Sequence, residues 1–167
     1  MEKSVLNRKV MSWEEALQWR NEARRRGERV VFTNGCFDLL HIGHVSLLER
    51  AKGLGDKLLV AINSDASTRT LKGNNRPIRP QNERAEILAG LKVVDAVVIF
   101  SELDPLKLII FLEPDVLIKG GDWSIENIIG AREVKGKGGK VFAIPVLAGR
   151  STSQILEVIK DLGHDTS

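Results

Sequence analysis

Five short apolar runs recur along the chain, unbroken rather than alternating. Between them lie longer stretches in which apolar residues return every three or four positions. The runs are Arg29-Val30-Val31-Phe32-Thr33, Leu58-Leu59-Val60-Ala61-Ile62, Ala96-Val97-Val98-Ile99-Phe100, Val116-Leu117-Ile118 and Val141-Phe142-Ala143-Ile144. Runs of this kind predict strands buried on both faces, and the periodic stretches predict the helical crossovers that a parallel sheet needs. Helices are predicted at about 12–26, 43–54, 82–91, 105–113 and 151–162. The first opens on an S-x-x-E capping box, Ser12 and Glu15, carries an apolar stripe of Trp13, Ala16 and Leu17, and closes on Arg24-Arg25-Arg26, where cations suit the helix dipole. Pro105 is predicted at the first helical position of the fourth. The pattern describes an α/β domain: a doubly wound parallel sheet of about five strands with helices on both faces. Ligands of such sheets bind beyond the carboxyl ends of the strands, in the loops that lead into helices.

Composition narrows this picture. The chain has 167 residues and 18.5 kDa, with 43% hydrophobic and 28% charged residues, enough to pack a core and too apolar for disorder. No repeat or linker divides it, so a single domain over 1–167 is expected, with a core at about 29–162 and an N-terminal helix at about 12–26. One cysteine excludes an intramolecular disulfide and a Cys-rich zinc site. No apolar run reaches the ~18 residues of a membrane span, and Met1-Glu2-Lys3-Ser4 lacks the apolar stretch of a secretion signal. A cytoplasmic location with no membrane partner is expected. The net charge of +3 and pI near 9.1 permit an anionic ligand without choosing one. Three Trp, five Phe and no Tyr leave no aromatic-interleaved basic motif, so no nucleic-acid partner is expected.

The first strand-to-helix loop carries the strongest chemical signal. It ends in His41-Ile42-Gly43-His44, an H-x-G-H with its glycine where a helix begins. Free N–H groups and the dipole at a helix start favour phosphate, a glycine permits close approach, and two imidazoles three residues apart can both donate to phosphate oxygens. A zinc site would need ligands that no further Cys/His cluster supplies. Cys36 reads as a small buried thiol rather than a nucleophile, since no base accompanies it, and Asp38 is open to the role of binding loop amides.

Phe37-Asp38-Leu39-Leu40-His41-Ile42-Gly43-His44 resembles the signature of the HxGH-type nucleotidyltransferase superfamily, whose members have a Rossmann-like domain. The resemblance continues through Lys72-Gly73, Arg76-Pro77, Glu83-Arg84-Ala85, Val94-Asp95, Pro114-Asp115-Val116-Leu117, Ile118-Lys119-Gly120-Gly121-Asp122-Trp123 and Gly149-Arg150-Ser151-Thr152. Together these segments are similar to the heptose 1-phosphate adenylyltransferases, which occur alone or as the carboxyl-terminal domain of a bifunctional kinase–adenylyltransferase. The resemblance implies transfer of AMP from ATP, with Mg2+, to a sugar 1-phosphate, giving ADP-heptose for lipopolysaccharide or surface-glycan synthesis. It also implies a homodimer. It assigns His41, His44 and Lys72 to catalysis. Thr33, Asn34, Gly35, Cys36, Phe37, Gly43, Gly120, Asp122, Ser151 and Thr152 go to the nucleotide, and Asp38, Arg76, Arg84 and Trp123 to the sugar phosphate. It implies no resident metal site.

Plainer readings stand beside these assignments. The basic stretch 68–81 is either a solvated loop or a flexible cationic lid over the triphosphate. Asp122 could cap a helix, Ser151 and Gln154 form an S-x-x-Q capping box, and Lys135 to Lys140 reads as a solvated turn. One departure is visible: many cytidylyltransferases carry an arginine several residues before the Ser-Thr pair, where this chain has Pro145-Val146-Leu147-Ala148, and adjacent Arg150 is its only stand-in. The rival functions are transfer to another small phosphate (glycerol 3-phosphate cytidylylation or flavin mononucleotide adenylylation), a noncatalytic nucleotide-binding module, and an aminoacyl-tRNA synthetase fragment. The last lacks a KMSKS-like segment here.

Overall fold

The computed structural model describes residues 8–164. Six strands form one sheet: β1 (Val10–Met11), β2 (Val30–Gly35), β3 (Lys57–Asn63), β4 (Ala96–Phe100), β5 (Val116–Gly120) and β6 (Lys140–Ile144). Their spatial order is β1-β4-β3-β2-β5-β6, and every neighbouring pair is parallel. This is a Rossmann-like doubly wound α/β fold. All five predicted strands are present, and β1 is an addition: two residues, in register with Val97 and Val98 at the edge of β4, too short to show any period.

Seven helices connect the strands among the described residues: α1 (Trp13–Arg25), α2 (Ile42–Lys52), α3 (Asp65–Lys72), α4 (Gln81–Ala89), α5 (Leu106–Leu112), α6 (Ala131–Gly136) and α7 (Thr152–His164), with a 3-10 turn at Ile125–Asn127. The apolar runs serve both faces, as unbroken hydrophobicity requires. In β2, Val30 and Phe32 pack with Ala16 and Ala23 of α1, Leu108, Ile109 and Leu112 of α5, and Val134 of α6. Val31 turns the other way, into a second core with Leu47, Leu48 and Ala51 of α2 and Ala85, Leu88 and Ala89 of α4.

Three local expectations change. Pro105 is the residue before the fourth predicted helix rather than its first helical position. The polar segment after β3 is not loop throughout, because α3 occupies 65–72. Ser64 caps α3 by accepting the N–H of Ser67, and the buried Ser67 hydroxyl donates to Glu102 O. Lys135 and Gly136 belong to α6, so the basic stretch 135–140 is a helix end and a turn.

The order places β3 and β4 on one side of β2, and β5 and β6 on the other. The chain changes direction between β2 and β5, and the crevice beyond their carboxyl ends is where such sheets hold ligands.

Candidate active site

The loop leaving β2 is shaped by its own side chains. His41 is the N-cap of α2, in extended conformation. Its Nδ1 accepts the Gly43 N–H at 3.1 Å, and the His44 Nδ1 accepts the His41 N–H at 3.3 Å. The two imidazoles thus build the reciprocal box usually made by Ser and Glu. An Nδ1 that accepts leaves the ring proton of a neutral imidazole on Nε2. The rings lie 3.8 Å apart, centroid to centroid, at 30°, an arrangement two imidazoliums would resist. Burial lowers the pKa of His41. Burial first, and the neighbouring His41 second, push His44 down to about 4. Both rings are therefore neutral at pH 7, each with an Nε2–H donor. A Cβ on Gly43 would stand 2.9 Å from the His41 Nδ1 and Cε1, so the glycine makes room for the capping ring. Phe37 packs against His44 at 5.1 Å and holds a left-handed φ of 46°, with its ring over Gly35.

A cavity of about 630 Å³ opens at the switch point. Of the residues singled out in the sequence, Asn34, Gly35, Cys36, Phe37, Asp38, His41 and His44 line it from the β2 loop. Lys72 and Arg76 line it from the end of α3 and beyond, Trp123 from the β5 loop, and Ser151 and Thr152 from the start of α7. Ser151 and Gln154 form the expected capping box, and the Thr152 hydroxyl donates to Leu39 O at 3.2 Å, tying α7 to the histidine loop.

Five singled-out residues do not line that cavity. Thr33 is buried within β2, and its hydroxyl has no hydrogen-bond partner among the described residues. Gly43 sits beneath His41. Gly120 packs against Leu47, whose Cδ2 would be 2.9 Å from a Cβ there. Asp122 is exposed, and Ser124 rather than Asp122 precedes the 3-10 turn. Arg84 is 1% exposed. Its Nε donates to Arg79 O, one terminal nitrogen to Cys36 O (2.6 Å) and Asn63 O (2.9 Å), and the other to Asp65 at 2.8 Å. The fork is spent inside the protein, where it joins the β2 loop, the end of β3 and the start of α4. Asp38 is similarly occupied: it accepts from Arg76 Nε at 2.9 Å and from the N–H groups of Ile78 and Arg79 at 2.9–3.0 Å. Of the two readings open for Asp38, the loop-amide one is what its contacts describe. The segment 76–79 is pinned at its base rather than free.

Sequence reasoning passed over two polar residues of the cavity wall. Lys119, at the end of β5, has its ammonium 5.7 Å from the Trp123 ring centroid and forms no ion pair among the described residues. Burial is the main cause that lowers its pKa, and Lys72 adds to the lowering. It lies inside the Lys-Gly-Gly-Asp-Trp segment, so the signal was present but read through its glycines. Asn63, buried at the end of β3, donates to Ser67 and accepts from the Cys36 thiol at 3.8 Å. Among the described residues no group of three or more His, Cys, Asp or Glu could hold a metal ion, and no helix is long and apolar enough to cross a membrane.

A doubly wound sheet whose switch point carries two neutral histidines at a helix start, facing three cations, defines a nucleotidyltransferase-type domain. The sequence matches the cytidylyltransferase-like family over residues 32–158, and the chain belongs to that family. It is 54% identical over 153 residues to the bifunctional protein HldE of Koribacter versatilis, covering 92% of this chain and 32% of that one. It is 57% identical over 134 residues to the bifunctional protein HldE of Citrifermentans bemidjiense, covering 80% and 28%. The chain thus spans about a third of the length of these curated relatives. Among solved structures it is similar to the lipopolysaccharide core biosynthesis protein from Thermoplasma volcanium, with TM-score 0.58, 31% identity, and 72% of this chain and 98% of that one covered. It shares its fold with pantoate-beta-alanine ligase from Francisella tularensis, with TM-score 0.61, 20% identity and coverage of 86% and 68%. The resemblance read in Phe37–His44 holds at the level of the family.

Proposed function

We propose that this chain transfers AMP from ATP to a heptose 1-phosphate, giving ADP-heptose and pyrophosphate. A nonbridging oxygen of the sugar phosphate attacks the α-phosphorus in line. The new bond joins that oxygen to phosphorus, the bond from phosphorus to the α,β-bridging oxygen breaks, and its electron pair leaves on pyrophosphate. An ionised phosphate is already a nucleophile, so the protein's task is positioning and charge stabilisation. The single observation that carries the reading is the fixed pair of neutral imidazoles at the start of α2. Their Nε2–H groups are donors at neutral pH whose hydrogen bonds strengthen as charge grows on the phosphate oxygens. Lys72 and the hydroxyl-rich start of α7 extend the cradle along the triphosphate. Mg2+ enters as part of the substrate, on triphosphate oxygens and water, in keeping with its preference to retain waters.

Lys119 is a half-buried ammonium without a carboxylate partner among the described residues, and burying a charge is costly unless it is paired. A substrate phosphate supplies that partner in this reading. Arg76 contributes its charge from the pinned segment, while Asp38 and Arg84 hold the loops that carry the contacting groups. A cytoplasmic homodimer completes the proposal, and light scattering reports the dimer. Identity of 54% and 57% with two bifunctional HldE proteins, and likeness to a lipopolysaccharide core biosynthesis protein, support the heptose assignment, and the test is a panel. Pyrophosphate release is measured for ATP and CTP, each with heptose 1-phosphate, glycerol 3-phosphate and flavin mononucleotide. Release with ATP and heptose 1-phosphate is expected; release with CTP alone overturns the assignment.

A further inference from the structure

The end of the sheet opposite the candidate active site holds a second charged cavity, of about 190 Å³. It lies at the amino ends of β2, β5 and β6, with the roughly 20 Å length of β2 between it and the loop that carries the histidines. Five cations line it: Arg20 and Arg24 of α1, Arg29 before β2, and Lys137 and Lys140 on either side of a Gly-Gly turn. Two carboxylates, Glu113 and Asp115, line it with them. Two segments that read as separate solvated charge runs in the sequence, 24–26 and 135–140, meet here.

The carboxylates are already in use. Glu113 is shared by Lys137 at 3.1 Å and Arg24 at 3.8 Å. Asp115 accepts the Val30 N–H at 2.8 Å and lies 3.5 Å from Arg20. Arg29 pairs at 3.9 Å with Asp56, outside the cavity, and Lys140 has no carboxylate partner among the described residues. With Arg29 paired, the surplus is about two charges, and the carboxyl ends of α1, α5 and α6, which also converge on this region with roughly half a negative charge each, offset most of it. What is left is positive.

Arg20 is the unusual member. It is 1% exposed, one terminal nitrogen is committed to Glu113 O and Asp115, and its Nε and other terminal nitrogen have no acceptor among the described residues. A buried charged donor left unpaired is costly, so a polar partner on this wall is favoured. We propose that this cavity is a second anion site, separate from the substrate pocket, that takes a compact multivalent oxyanion of the phosphate or pyrophosphate class. Arg24, Arg29, Lys137 and Lys140 hold the oxyanion, and Arg20 relaxes towards it from the buried wall.

Amide chemical shifts test the proposal on the intact chain. Inorganic phosphate is titrated at constant ionic strength, with Mg–ATP filling the substrate pocket. Saturable shifts are expected at Gly138, Gly139 and Lys140. The affinity read from them is expected to fall about tenfold or more in the Lys137→Gln/Lys140→Gln double variant, as loss of charge-assisted bonds requires. Shifts at His44 and Ser151 on adding Mg–ATP serve as the folding control in that variant. The proposal is overturned if residues 138–140 respond to phosphate no more than to equal ionic strength of chloride, or if the double variant binds as tightly as the parent. Either failure leaves the transfer reaction itself untouched.

Discussion

Replacing Gly43 by alanine separates the catalytic geometry from the stability of the fold. The added Cβ would stand 2.9 Å from the Nδ1 and Cε1 of His41, whereas carbon atoms in ordinary contact are about 3.5–4.0 Å apart. The ring must therefore move by roughly 0.6–1 Å, and the bond from the Gly43 N–H to Nδ1, now 3.1 Å, is lost. Two stability effects oppose one another. Alanine gains about 1 kcal/mol of helix propensity over glycine, and loss of the cap costs about 0.5–2 kcal/mol. The net change should fall within about 1 kcal/mol, or a Tm shift of about 2–4 °C for a chain of this size. Activity has no such compensation. A catalytic donor displaced by 1 Å costs about a hundredfold, and its loss should appear in kcat, because the Nε2–H acts on charge that develops during transfer. Pyrophosphate release and a thermal melt, run on the same preparation, read both quantities. A Gly43→Ala variant with near-normal kcat would refute the role given to the cap.

Four further outcomes follow from the same contacts. In a proton NMR titration the His44 imidazole should titrate near pH 4. Because its folded pKa lies below the unfolded value of about 6.5, its contribution to stability is present above pH 6.5 and lost as pH falls towards 4, more steeply in the parent than in His44→Gln. Arg84→Met should lower stability by about 3–5 kcal/mol in urea unfolding, since it leaves the Asp65 carboxylate and three carbonyls without their donor. Asp38→Asn should speed amide hydrogen exchange at Ile78 and Arg79 about tenfold, by releasing the segment that the carboxylate pins. Lys119→Met should raise KM for the sugar phosphate about tenfold or more while leaving the melting temperature unchanged or higher, because it removes a half-buried charge that has no carboxylate partner among the described residues.

What was legible in the sequence, and what was not, follows the range of the interactions involved. Leu58 to Ile62 announces a central strand because burial on both faces is written into each consecutive residue. Ser12 with Glu15 and Ser151 with Gln154 fix helix starts through contacts three residues apart. Helix α3 escaped notice because Asp65 to Lys72 has no apolar stripe; buried hydroxyls of Ser67 and Thr68 hold it instead. The positions of Asp38 and Arg84 were equally hidden. Their partners lie 38 to 48 residues away or in other segments, and no local pattern distinguishes an arginine that grips carbonyls from one that waits for phosphate. The H-x-G-H spacing pointed to phosphate. The reciprocal hydrogen bonds that orient both rings, and the burial that keeps them neutral, became visible only in three dimensions.

Adenylyl transfer assisted by the two neutral histidines at the start of α2 is the step on which the proposed function rests. Its most direct measurement follows label from α-32P-ATP into nucleotide sugar with heptose 1-phosphate as acceptor, in the parent and in His44→Ala at matched folded fraction. Label is expected to enter ADP-heptose in the parent, and the rate to fall by about a hundredfold or more in the variant. Equal rates in the two proteins, or label that never leaves ATP in the parent, would contradict it.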